Sequence, residues 1–203
     1  MRTKQRKMPG KTDINENPIL RDIIGFFSNV FEVRGKGYRY AEYKTEWLRG
    51  IRLNKNSQME AVSSETTKAL QKRLFAKYGN RIRTEARVAE GMTLRFDSDE
   101  EIKIDLSKLQ AFDILDEDTG SAYEISLSDA FAEFFKDVLK ALLDSRVKKL
   151  FICMRNHKYK GSSKSGFIKV KDSAMVQQYI NLAKLYKLDI YLVDICPGCN
   201  DNK

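Results

Sequence analysis

The stretch AFDILDEDTGSAYEIS, Ala111–Ser126, decides the fold. Two runs in which apolar residues dominate flank an Asp-Thr-Gly-Ser punctuation, the pattern of two short strands joined by a hairpin. A turn over 118–121 sets Asp113 on the first strand near Glu124 on its partner, each acid flanked by apolar neighbours. An unpaired carboxylate beside a core is costly. Two that converge at neighbouring strand ends are best explained by a shared divalent cation, and Mg²⁺ takes oxygen ligands while keeping water for chemistry.

Working outward, alternation extends over the whole of 81–128. RIRTEARVA, MTLRFD and EIKIDL precede the hairpin, so the region reads as an antiparallel meander. After it, Ser128 caps a helix to about Asp144, with Phe131, Phe134, Phe135, Val138, Leu139 and Leu142 as its apolar stripe. KKLFICM at 148–154 is a buried strand, and FIKVK a short strand. A helix follows over 173–187, and DIYLVDI is a final strand. Upstream, Asn17-Pro18 opens a helix over 18–31. Ser57 and Glu60 form a capping box for a second helix over 58–78, with Leu70, Leu74 and Phe75 on one stripe. The expected class is α/β: a mixed β-sheet with an antiparallel hairpin, flanked by helices. One domain is expected over 15–203, preceded by a basic arm over 1–14 that holds five Lys or Arg.

With 42% hydrophobic and 32% charged residues, the chain of 203 residues has the balance of a globular domain rather than a disordered or fibrous one. No apolar run approaches the roughly 20 residues that span a bilayer, and no secretory leader is legible. A soluble, cytoplasmic protein without membrane association is the expectation. The net charge of +9 suggests a polyanionic partner. Its distribution says more: residues 101–147 carry 5 basic and 11 acidic side chains, between flanks that are net positive. Basic flanks attract phosphate while an acidic island holds a cation beside it. A solvated acidic surface is the plainer reading of the same island.

Residues 34–55 interleave basic, aromatic and glycine residues, a composition suited to phosphates and bases and equally to an ordinary basic strand and turn. Arg34, Lys36, Arg39, Tyr40, Trp47, Arg49 and Arg52 are the candidate DNA contacts there; Trp47 serves equally well as a core residue. In the loop after KKLFICM, Arg155, Asn156, His157, Lys158 and Lys160 offer the groups that pair with base edges or grip phosphates. His157, the sole histidine, lacks the partners of a metal cluster. Cys153 reads as core. Cys196 and Cys199 have the spacing of half a zinc site but lack a second pair, and free thiols or a disulfide are the plainer account.

The segment from Leu109 to Met154 resembles the PD-(D/E)xK nuclease superfamily, which includes many type II restriction endonucleases. Asp113 matches the family's first acid, and Glu124 opens its acid-x-lysine triplet. The triplet here reads Glu124-Ile125-Ser126, with serine in place of lysine. The resemblance implies a restriction endonuclease-like fold in which Asp113, Glu124 and the Ile125 carbonyl hold Mg²⁺. Ser126 stands at the third catalytic position, and Lys136 on the following helix is the candidate substitute for the lysine. It further implies a Mg²⁺-dependent type II restriction endonuclease that hydrolyses double-stranded DNA at a short palindromic site and acts as a homodimer. The alternatives are a structure-selective or repair nuclease of the same superfamily, or a non-catalytic basic nucleic-acid-binding module in which Asp113 and Glu124 pair with Lys and Arg.

Overall fold

A computed structural model describes residues 16–34, 37–40, 58–89, 92–95, 101–104, 110–127, 131–154, 156 and 166–195. In chain order the elements are α1 (Pro18–Val30), β1 (Phe31–Arg34), β2 (Gly37–Tyr40), α2 (Gln58–Tyr78), β3 (Ile82–Arg87), β4 (Met92–Arg95) and β5 (Glu101–Ile104). They continue with β6 (Ala111–Asp116), β7 (Ser121–Ser126), α3 (Phe131–Leu142), β8 (Lys149–Met154), α4 (Gly166–Asp172), α5 (Ala174–Leu185) and β9 (Asp189–Asp194).

The chain is α/β. A five-stranded mixed sheet runs in the order β3-β6-β7-β8-β9; its first three strands are antiparallel neighbours, and β8 and β9 continue parallel to β7. The parallel pairs need crossovers, and α3 supplies one while α4 and α5 supply the other. Because side chains alternate along a strand, each strand feeds two cores. Tyr123, Ile125, Phe151 and Cys153 join Ile19, Ile23 and Phe27 of α1 and Leu70 and Leu74 of α2 on one face. Ala122, Leu150, Ile152 and Met154 join Phe134, Val138 and Ala141 of α3, Val170 of α4 and Val176 of α5 on the other.

The ends of the elements carry their own causes. Asn17 Oδ1 accepts the Leu20 amide at 2.9 Å and so caps α1 just before its proline. The β6–β7 turn closes at Gly120, whose φ of +63° lies in the left-handed region. A Cβ there would sit 2.7 Å from the Arg146 carbonyl oxygen, so glycine is required twice over.

Four expectations from sequence are corrected. The meander over 81–128 is interrupted: β3 pairs with β6, and β4 and β5 form a separate two-stranded sheet between them. FIKVK is helical rather than extended, lying in α4, because Phe167 and Val170 bury at helical spacing against the sheet. Phe75 is 50% exposed and does not join the stripe of Leu70 and Leu74. Leu139, placed in the stripe of α3, is 51% exposed; the buried face of that helix instead includes Asp137 and Lys140. Among the described residues no helix is long and apolar enough to cross a membrane.

The arm over 1–14, Lys36, Trp47, Arg49, Arg52, Ser57, Arg155, His157, Lys158, Lys160, Cys196 and Cys199 lie outside the described residues. Arg34 falls in β1, and Arg39 and Tyr40 fall in β2, with their side chains outside the description.

Candidate functional site

Asp113 sits where both ladders of β6 are interrupted. On the β7 side, pairing runs from Asp116↔Ser121 to Ile114↔Tyr123 and stops. The next pair in that register is Asp113 with Glu124, and cross-strand partners share a face. In place of ladder pairing, the Asp113 carboxylate accepts the Ile125 amide through Oδ2 at 2.7 Å. On the β3 side, pairing passes from Thr84↔Ile114 to Ala86↔Phe112 and skips Glu85 and Asp113.

Glu124 lies at the centre of the sheet on the face covered by α3, and it is 5% exposed. Its partner is Lys140, whose ammonium donates to Glu124 Oε1 at 2.6 Å, lies 3.1 Å from Asp137 Oδ1, and donates to the Ala111 carbonyl at 2.9 Å. Three acceptors use all three of its protons. Asp137 and Lys140 are one helical turn apart on α3 and are 3% and 4% exposed, which puts a charged pair inside an otherwise apolar helix face.

These groups surround a cleft of about 270 Å³, lined by Asp113, Glu124, Ile125, Ser126, Lys136, Asp137 and Lys140 among others. The structure thus brings together all four expected catalytic residues, but with unequal roles. Lys136 stands at the rim, 43% exposed and paired with Glu133. Lys140, one turn further along α3, is the lysine that reaches the acid of β7. Sequence reasoning missed Lys140 and Asp137: both are buried with Phe134, Val138 and Ala141, whereas the stripe read from sequence also ran through Phe135, Leu139 and Leu142.

The electrostatics follow from three carboxylates around one ammonium. Burial pushes the Asp113 carboxyl up to about 6, against the lowering effect of the Ile125 amide and Lys140. Burial and the neighbouring charges of Asp137 and Asp113 raise Glu124 well above the ordinary glutamate range, and Lys140 only partly opposes them. Burial likewise raises Asp137. Lys140 is raised too: burial disfavours its charge, but Glu124 and Asp137 outweigh that. The site therefore keeps its ammonium and remains short of positive charge, the condition under which a divalent cation or a proton is taken up.

The donor set fits Mg²⁺ in kind: two carboxylates from adjacent strands and the Ile125 carbonyl are hard oxygen donors. Among the described residues no group of three or more His, Cys, Asp or Glu is arranged to hold a metal ion. Mg²⁺ does not require one, since it commonly binds through one or two carboxylates, with water and substrate phosphate completing its shell.

Of the expected DNA contacts, Asn156 is the one whose side chain is described. It is buried, and its amide donates to Asp194 Oδ2 at 3.0 Å, linking the ends of β8 and β9. That amide group is committed inside the fold rather than offered to a base edge. Cys153 is a free, buried thiol in the core, as its strand position implied.

No protein-family model, curated protein or solved structure matches this chain.

Proposed function

We propose that the protein is a Mg²⁺-dependent DNA endonuclease of the PD-(D/E)xK type, and within that class a type II restriction endonuclease. The observation that carries this reading is the convergence of Asp113, Glu124 and Lys140 on one cleft, from two antiparallel strands and the helix that follows them. The acids occupy the family's two acidic positions. Lys140 provides from α3 the ammonium that Ser126 cannot provide from β7.

Asp113, Glu124 and the Ile125 carbonyl would hold the cation. Such a cation would supply a water of lowered pKa and charge stabilisation at a phosphoryl oxygen. Lys140, kept protonated by Glu124 and Asp137, sets a fixed positive charge at the cleft. That charge offsets the negative charge developing on the phosphate. Water adds across one P–O ester bond, which breaks to leave a phosphate end and a hydroxyl end. The basic flanks around the acidic middle of the chain suit a DNA backbone, and cutting both strands of a palindrome calls for two such sites, hence a homodimer.

Incubation with supercoiled plasmid tests this: nicking and linearisation at fixed positions are expected with Mg²⁺ and not with EDTA or Ca²⁺. Cleavage confined to branched or damaged DNA would move the protein to the structure-selective nucleases. A second reading draws on one observation, that Glu124 already has a cationic partner in Lys140. On that reading the cluster is structural and the chain is a nucleic-acid-binding module. Salt-sensitive DNA binding without any Mg²⁺-dependent nicking would favour it.

A further inference from the structure

Gln71 is a polar residue on the buried side of α2, 6% exposed and adjacent to Leu70 in the core. Its amide nitrogen donates both protons. One goes to the Asp113 carbonyl at 2.9 Å, and the other to Glu85 Oε1, also at 2.9 Å. The two acceptors are the residues that the β3–β6 pairing skips. Glu85 has a φ of +50°, a conformation that costs a non-glycine residue of order 1 kcal/mol and persists only where the surroundings impose it. A side chain from a helix thus takes over the binding of the Asp113 main chain where regular strand pairing lapses, while the other edge of Asp113 is tied through its own carboxylate to the Ile125 amide.

We propose that Gln71 and Glu85 form a positioning pair that fixes Asp113 in its cation-binding placement, an inference that rests on the nuclease reading above. A regular ladder through 113 would direct the strand by pairing alone. The break frees Asp113 to lean toward Glu124, and Gln71, braced by Glu85, sets how far. Neither residue lines the cleft, so both act through Asp113.

The test is Mn²⁺ binding to the full chain, read as the electron paramagnetic resonance of free Mn²⁺, with melting temperature followed in parallel. Asp113→Ala serves as the reference for a lost ligand. Gln71→Met, which removes both donors at similar volume, and Glu85→Ala are each expected to weaken Mn²⁺ binding about tenfold, the scale of outer-shell effects on metal affinity. Glu85→Gln, which keeps an acceptor oxygen for Gln71, is expected to bind as the natural protein does. Unchanged affinity in Gln71→Met and Glu85→Ala overturns the proposal. So does a Glu85→Gln loss as large as that of Glu85→Ala, which would make the Glu85 carboxylate a ligand in its own right. Should Gln71→Met fail to fold, Glu85→Ala decides alone, because Glu85 is exposed. Equal Mn²⁺ binding by the natural protein and Asp113→Ala, or none by either, fells the nuclease reading and this inference with it. That outcome is distinct from binding that only the Asp113→Ala variant loses.

Discussion

The Lys140 ammonium reaches Glu124 Oε1 across 2.6 Å, from a position on α3 outside the apolar stripe read from sequence, with both side chains almost closed to solvent. Such a pair is expensive to assemble and more expensive to halve, because the survivor is left charged and buried. Lys140→Met should therefore cost about 3–5 kcal/mol of stability at neutral pH, measurable by urea unfolding. It should also abolish plasmid cleavage under conditions where the variant remains folded. Retention of full cleavage would remove Lys140 from the reaction.

Lys136 provides the contrast. It is exposed and shares its charge with Glu133 one turn away, an arrangement worth at most about 0.5 kcal/mol. Lys136→Ala should leave the melting temperature nearly unchanged and lower cleavage far less than Lys140→Met does. A larger loss for Lys136→Ala would reverse the assignment of the two lysines.

Asp113→Ala and Glu124→Ala should each cut the cleavage rate on the order of 10³-fold or more, the scale of several kcal/mol of lost charge stabilisation. DNA binding in Ca²⁺ should persist, because the basic flanks proposed to bind phosphate are untouched. Gel-shift titration alongside single-turnover cleavage separates the two effects.

The hairpin was legible because alternation and turn chemistry agree over 111–126, and the longer elements after it, α3, β8, α5 and β9, followed from runs long enough to fix their period. What failed did so for identifiable reasons. FIKVK alternates apolar and basic residues as a strand does, yet Phe167 and Val170 also stand three apart, and five residues cannot separate the two periods. The β3–β6 pairing spans a hairpin that forms its own sheet, and local pattern carries no information on such a detour. Lys140 was passed over because a helix lysine is ordinarily solvated, and because a stripe drawn through Phe135, Leu139 and Leu142 turns it away from the sheet, whereas the helix buries Phe134, Asp137, Val138, Lys140 and Ala141. Gln71 and Glu85 left no sequence signal, since their role depends on a break in pairing that only the fold defines.

Asp144 joins the end of α3 to the end of β3: its carboxylate accepts the Ala89 amide at 3.0 Å, the Arg146 amide at 3.1 Å and the Arg146 guanidinium at 2.7 and 2.9 Å. Burial works to raise its pKa, but these donors together hold it below the ordinary aspartate value. A depressed folded pKa contributes stability that is present above the unfolded value near 3.8 and is lost as pH falls through the folded one. Asp144→Asn should accordingly cost about 2 kcal/mol at pH 7, and the difference from the natural protein should shrink below pH 4. Denaturant unfolding at both pH values measures it; a gap of equal size at pH 3 would show that the carboxylate charge is not what matters there.

Gly120 tests whether the hairpin and the site stand or fall together. Its carbonyl accepts the amides of Lys148 and Lys149 at 2.8 and 3.0 Å, so the turn that brings Glu124 opposite Asp113 is also anchored to the start of β8. Alanine there meets two separate obstacles, a left-handed φ and a Cβ 2.7 Å from the Arg146 carbonyl oxygen, and the obstructing atom is backbone with little room to yield. Gly120→Ala should cost about 2 kcal/mol or more, read as a lowered melting temperature. The turn lies at the opposite end of β7 from the acids, so the registered strands between them should absorb most of the shift. Where the variant is folded, cleavage should stay within about tenfold of normal, a difference of 1.4 kcal/mol in barrier. Greater loss of activity in folded protein would mean that turn geometry sets the separation of Asp113 and Glu124 directly, with the strand pairing too weak to hold it.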